Sequence, residues 1–180
     1  IFISFCNKEL SKVKWLQLNW LEKITDEQAA ELVGIIGEIG SGKSCLFNAI
    51  LNNLDILNGQ NKKIIINGTI AYVPQKTWIL NDTIRNNIIF NKPYIEEKYK
   101  RIVEICQLKH DFELLKQKDL TILNEDGNSL SCGQKTKLNI ARAIYSDADI
   151  YCLDDPFSAL DAYISKNISK AANDTASNMS

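Results

Sequence analysis

A chain of 180 residues, 45% of them apolar, is long enough to bury one core and too short to expect two domains. Its 24% charged residues sum to a net charge of −1, which excludes disordered and fibrous classes and argues against a dedicated nucleic-acid binder, because phosphate-backbone affinity needs clustered Lys and Arg. Five scattered cysteines (Cys6, Cys45, Cys106, Cys132 and Cys152) fit reduced thiols, and with His110 as the one histidine they argue against a His/Cys zinc site. No run approaches the roughly 18 apolar residues of a membrane helix, so direct membrane insertion by this segment is not expected. The chain opens at Ile1 rather than Met and closes in the small, polar run 171–180, so a piece of a longer protein is expected.

In chain order, Leu32-Val33-Gly34-Ile35-Ile36 is short, apolar and partly β-branched and predicts a buried strand. A glycine-rich loop follows, then Cys45 to Leu51 with apolar residues at helical spacing. Residues 52–61 predict a loop, and Lys63–Ile66 and Thr69–Val73 predict strands around the turn Asn67-Gly68, a small β subdomain. From about 80 to 130 a helical subdomain is expected, with Ile84, Ile88, Ile102, Ile105, Leu108, Leu114 and Leu115 on its apolar face and an interruption near Pro93. A loop over 124–129 precedes a helix over Ser131–Tyr145, and Asp149–Leu153 predicts a buried strand ending in Asp154-Asp155. Strands alternating with helices imply an α/β fold, a mainly parallel sheet flanked by helices on both faces.

Gly37-Glu38-Ile39-Gly40-Ser41-Gly42-Lys43-Ser44 fits G-x-x-x-x-G-K-[ST] at every defined position, which makes the fold a P-loop NTPase. Glycines let the backbone curl so that its N–H groups converge on phosphates, and the next helix presents its positive end to them. Lys43 bridges β and γ phosphates as a point charge, and Ser44 offers its hydroxyl to Mg2+. Cys45, next along the helix, joins the nucleotide-contacting set. The cofactors implied are ATP and Mg2+. A strand ending in two carboxylates suits a hard cation: Asp154 is expected on the magnesium side and Asp155 where it orients the attacking water.

These residues resemble the nucleotide-binding domains of ATP-binding cassette transporters, most closely the first domain of the C subfamily, the multidrug-resistance-associated proteins. The likeness runs from about Leu32 to Ile168. Tyr72-Val73-Pro74-Gln75 resembles the Q-loop, which implies that Gln75 approaches Mg2+ and couples the site to membrane domains. The stretch from Trp78 to Ile88 resembles the segment on the C-terminal side of the Q-loop in this subfamily. Leu130-Ser131-Cys132-Gly133-Gln134 resembles the family signature, and Ser158-Ala159-Leu160-Asp161 the D-loop. Ser131 is by residue type a natural helix N-cap, so the N–H groups behind it form a second anion site away from the first. The resemblance implies a head-to-tail dimer with a second nucleotide-binding domain, each nucleotide lying between the phosphate loop of one and Ser131, Cys132, Gly133 and Gln134 of the other. It also implies transmembrane partners and a place on the cytoplasmic face of a membrane. For the aromatic that stacks on adenine, Trp15 is the choice, with Trp20 and Phe5 as competitors.

Three departures from the family pattern stand out. Cys132 replaces a usual glycine. Asp155 stands where strongly hydrolytic cassettes carry Glu, so its carboxylate is retracted by about 1 Å, a displacement that costs on the order of 100-fold in rate. The family's strand with the switch histidine is expected to be missing, since this chain stops or diverges before it, and the core sheet is then expected to be incomplete; His110, in a polar turn, reads as a surface residue. Transport-driving ATP hydrolysis, with Asp155, Gln75 and Lys43 as the catalytic set, competes with a regulatory module that holds ATP and supports a partner's active site. A GTPase is disfavoured because Asn91-Lys92-Pro93-Tyr94 lacks the Asp of N-K-x-D, and a soluble cassette acting in translation or repair fits the segment near Trp78 less well.

Overall fold

Two short apolar strands from distant parts of the sequence alternate their side chains between the faces of one sheet, and this places the helices. The structure is a computed structural model that describes residues 2–5, 32–35, 38, 40–53, 66, 68–124 and 129–155. Its elements are β1 (Phe2–Phe5), β2 (Leu32–Gly34), α1 (Lys43–Ile50), β3 (Ile70–Val73), α2 (Ile84–Ile89), α3 (Glu96–Ile105), α4 (Lys109–Glu113), a 3-10 turn (Lys118–Leu120), α5 (Cys132–Tyr145) and β4 (Ile150–Leu153).

On β4, Ile150 and Cys152 join Ile35 and Phe47 of α1 in one buried cluster, while Tyr151 and Leu153 join the larger cluster on the opposite face. β3 alternates in the same sense. Ile70 packs with the α1 cluster and Ala71 and Val73 with the other, so each face of the sheet buries its own helices. The larger cluster draws in Ile84 and Ile88 of α2, Tyr99, Ile102 and Val103 of α3, and Leu138, Ile140, Ala141 and Tyr145 of α5. Of the apolar face expected over 80–130, Leu114 departs: it is 69% exposed at the end of α4, and its neighbour Leu115 packs inward instead. His110 lies in α4 rather than in a turn, and it is exposed as expected.

Strand order is β2-β1-β4-β3. β3 and β4 pair in parallel, Ile70 opposite Ile150 through Val73 opposite Leu153. β1 runs antiparallel to both of its neighbours, β2 and β4. β2, β4 and β3 therefore point the same way and β1 is the reversed member between them, so that among the described pairings only β3–β4 is parallel. Asp149 locks the register of the parallel pair, its carboxylate accepting from the Thr69 N–H at 2.7 Å and hydroxyl at 2.8 Å. Gly68 has no room for a side chain there, since a Cβ would stand 2.9 Å from that of Asp149. Of the expected strand Lys63–Ile66 only Ile66 is described; it lies outside any strand, half-buried against the α1 cluster, while residues 63–65, the D-loop residues Ser158 to Asp161 and Trp15 lie outside the described residues.

Among the described residues, no helix is long and apolar enough to cross a membrane.

Candidate functional site

Three strands pointing the same way deliver three loops to one edge of the sheet. β2 leads into the glycine-rich loop, β3 into Gln75, and β4 into Asp154 and Asp155. This is the edge where ligands of open α/β sheets bind.

The phosphate loop turns on two left-handed glycines, Gly40 with φ 84° and Gly42 with φ 87°. Gly42 is the N-cap of α1 and offers no side chain to the helix's first N–H groups. Nothing lies within 4 Å of where a Cβ would stand on either glycine, and the first turn of α1 carries no acidic residue. An uncapped, uncrowded helix start free of negative charge fits a polyphosphate. Lys43 folds back over this loop, its Nζ donating to the Glu38 carbonyl at 2.6 Å and to Ser41 Oγ at 3.3 Å. Ser44 and Cys45 are exposed in the same turn. Gly37 and Ile39 lie outside the described residues.

Asp154 is buried, and its N–H continues the β3–β4 ladder onto the Val73 carbonyl at 2.9 Å. Its carboxylate stands 3.5 Å from the Tyr72 hydroxyl, and burial together with that carboxylate pushes the Tyr72 phenol up. Tyr72 in turn meets Phe47 of α1 edge to face, so the helix behind the phosphate loop touches the residue beside Asp154. Asp155 is exposed and has φ 49°, a left-handed conformation that Asp tolerates better than most residues. Gln75 Nε2 lies 3.5 Å from Asp155 Oδ2, although 80 residues separate them in sequence. A hydroxyl (Ser44), an amide (Gln75) and a carboxylate (Asp154) supply the oxygen donors that a hard cation prefers, so the residue set fits Mg2+.

The signature residues lie apart. Ser131 caps α5, accepting from the Gln134 N–H at 3.2 Å, while Gln134 Oε1 accepts from the Ser131 N–H at 2.8 Å, a complete capping box. Cys132 is exposed in the first turn and Gly133 is half-buried. α5 packs on the sheet face opposite to α1, so the sheet separates the two helix starts.

The ABC transporter family model matches residues 25–158. The chain belongs to the ABC transporter family. Among curated relatives it is 48% identical over 137 residues to ABC transporter C family member 3 of Dictyostelium discoideum, covering 76% of this chain and 10% of that protein. It is 45% identical over 138 residues to human ATP-binding cassette sub-family C member 4, covering 77% and 10%. It is 47% identical over 143 residues to mouse ATP-binding cassette sub-family C member 2, covering 79% and 9%. The chain thus spans about a tenth of the length of the curated relatives it matches. It is an ATP-binding domain of C-subfamily type, and domains of this ABC family bind ATP with Mg2+.

Motif reading of this ABC domain missed a buried polar knot. Arg142, in the last turn of α5, is 8% exposed; its guanidinium donates to the carbonyls of Asn87 and Trp78 and to Asn139 Oδ1, and it lies 3.7 Å from the Trp78 ring centroid. Burial pulls its pKa down to about 10. A cation inside the apolar run Ile140-Ala141-Arg142-Ala143-Ile144 was the available signal. Asp111, which touches both Gln134 and Lys137, had none.

Proposed function

We propose that this chain is the MgATP-binding and hydrolysing module of a C-subfamily ABC transporter, its first nucleotide-binding domain, working head to tail with a second such domain and with transmembrane domains from the cytoplasmic face of a membrane. The observation that carries this is the convergence of the uncapped phosphate loop, Gln75 and Asp154-Asp155 on one sheet edge, with the signature helix start on the opposite face. One chain cannot close both anion sites on the same nucleotide, and a head-to-tail pair can.

In this reading Lys43 leaves the Glu38 carbonyl for the β and γ phosphates, and α1 presents its first N–H groups to them. Ser44, Gln75 and Asp154 would hold Mg2+, which would neutralise phosphate charge. Asp155 accepts a hydrogen bond from the attacking water. Its short side chain favours slow turnover at this site, which supports the second reading of a regulatory module that holds ATP and lends Ser131 to Gln134 to a partner site.

Calorimetry tests the common core of both readings. The folded wild-type chain should give a saturable heat with MgATP and Lys43→Ala none, because the phosphates lose their main counter-charge. Wild-type affinity in the alanine variant would overturn the assignment of the loop.

A further inference from the structure

The capping box at the start of α5 has an outside support. Asp111 of α4 accepts from Gln134 Nε2 at 3.0 Å through Oδ1 and from Lys137 Nζ at 2.9 Å through Oδ2, and both side chains of the ion pair are only 15% exposed. A carboxylate can only accept, so it takes the NH2 end of the Gln134 amide and leaves Oε1 for the Ser131 N–H, where it is found at 2.8 Å. Ser131 Oγ, accepting from the Gln134 N–H at 3.2 Å, keeps its own hydrogen for a further acceptor. The orientation of one amide thereby decides whether the Ser131 N–H has its acceptor and the capping box is closed on both sides. It is set from an element 23 residues upstream.

We propose that Asp111 is a positioning residue for the signature: by fixing the Gln134 amide it keeps the capping box closed, and so holds the Ser131 backbone where its hydroxyl can donate to a nucleotide bound on the partner domain. The inference rests on the head-to-tail reading given above. Asp111→Asn makes the point sharply. The introduced amide must turn its oxygen to the Lys137 ammonium, which leaves its NH2 facing Gln134; the Gln134 amide then flips and sets its own NH2 against the Ser131 N–H. Adding Lys137→Gln restores an acceptor for the introduced NH2 and lets Gln134 return.

The experiment uses the chain together with a second, hydrolytically competent nucleotide-binding domain. Three quantities are read: MgATP affinity of this chain alone, hydrolysis at the partner's site, and hydrogen exchange of the Ser131 and Gln134 amides. For Asp111→Asn, affinity at this chain's own loop should stay within about twofold of wild type, partner-site kcat should fall about tenfold with KM little changed, and both amides should exchange faster. Asp111→Asn with Lys137→Gln should recover most of the turnover and the protection. Wild-type turnover in the single variant would overturn the proposal, as would equal loss of own-site binding, since that reports general collapse. A single variant too unstable to assay, with no recovery in the double, counts against it equally. If the wild-type chain never supports hydrolysis on a second domain, the head-to-tail reading itself fails; if it does and Asp111→Asn changes nothing, only the role of Asp111 falls.

Discussion

Arg142 and Asn87 are joined twice, Nε donating to the Asn87 carbonyl at 2.7 Å and Nη2 to Asn87 Oδ1 at 2.8 Å, across 55 residues of sequence. Asn87 is fully buried, and its amide also spans Leu80, accepting from the N–H at 2.8 Å and donating to the carbonyl at 3.1 Å. The segment C-terminal to Gln75 is thereby fastened to the far end of the signature helix by a buried cation held on neutral oxygens. Arg142→Met keeps the bulk and removes every donor, leaving buried carbonyls unpaired. It should cost about 3 kcal/mol in urea denaturation. A loss below about 1 kcal/mol would show that the knot is not a structural joint.

The Ser131 cap is a smaller and separable term. Ser131→Ala should lower stability by about 1 kcal/mol, and Gln134→Ala together with it should cost less than the two single changes summed, because each residue satisfies the other. Strict additivity in the double-mutant cycle would contradict the capping box.

At Asp155 the retracted carboxylate predicts that Asp155→Glu raises ATP turnover in the assembled dimer, by on the order of 10- to 100-fold if the full 1 Å is recovered. The left-handed backbone, φ 49°, suits Asp better than Glu, so the faster variant should also be slightly less stable. Single-turnover hydrolysis measures the first effect and thermal melting the second. Unchanged or slower hydrolysis counts against the reading of Asp155.

Asp149 supplies a pH signature. Hydrogen bonds from Thr69 hold its carboxyl below the ordinary 3.8, so the folded state favours the charged form. That contribution is complete above the ordinary value and disappears as pH falls through the lower folded value. The stability gap between wild type and Asp149→Asn should therefore be flat above about pH 5 and close below about pH 4. Denaturation midpoints measured from about pH 2.5 to 7 decide it; a gap that widens on acidification would reverse the sign.

Thiol chemistry sorts the described cysteines. Cys106 and Cys152 are fully buried, and burial pushes each thiol up to about 12, while Cys45 and Cys132 are exposed. A maleimide near neutral pH should label Cys45 and Cys132 and spare the buried pair, with MgATP slowing the reaction at Cys45 beside the phosphate loop. Mass spectrometry of the labelled peptides reads the order.

What the amino-acid sequence determined by itself is whatever short-range physics encodes. The phosphate loop was legible because the turn at Gly40 and Gly42 and the helix start at Lys43 depend on steric freedom within a few residues. Ser131 as a cap was equally legible, since its partner Gln134 is three residues away. β4 could be read from its apolar run, and with it the delivery of Asp154 and Asp155 to a strand end. Only tertiary structure decided that β1 runs reversed between β2 and β4, that Gln75 meets Asp155, that Arg142 closes on Asn87, and that Asp111 meets Gln134. Those side-chain pairings join residues between 23 and 80 positions apart, where periodicity names a buried face but carries no information about which distant partner will occupy it.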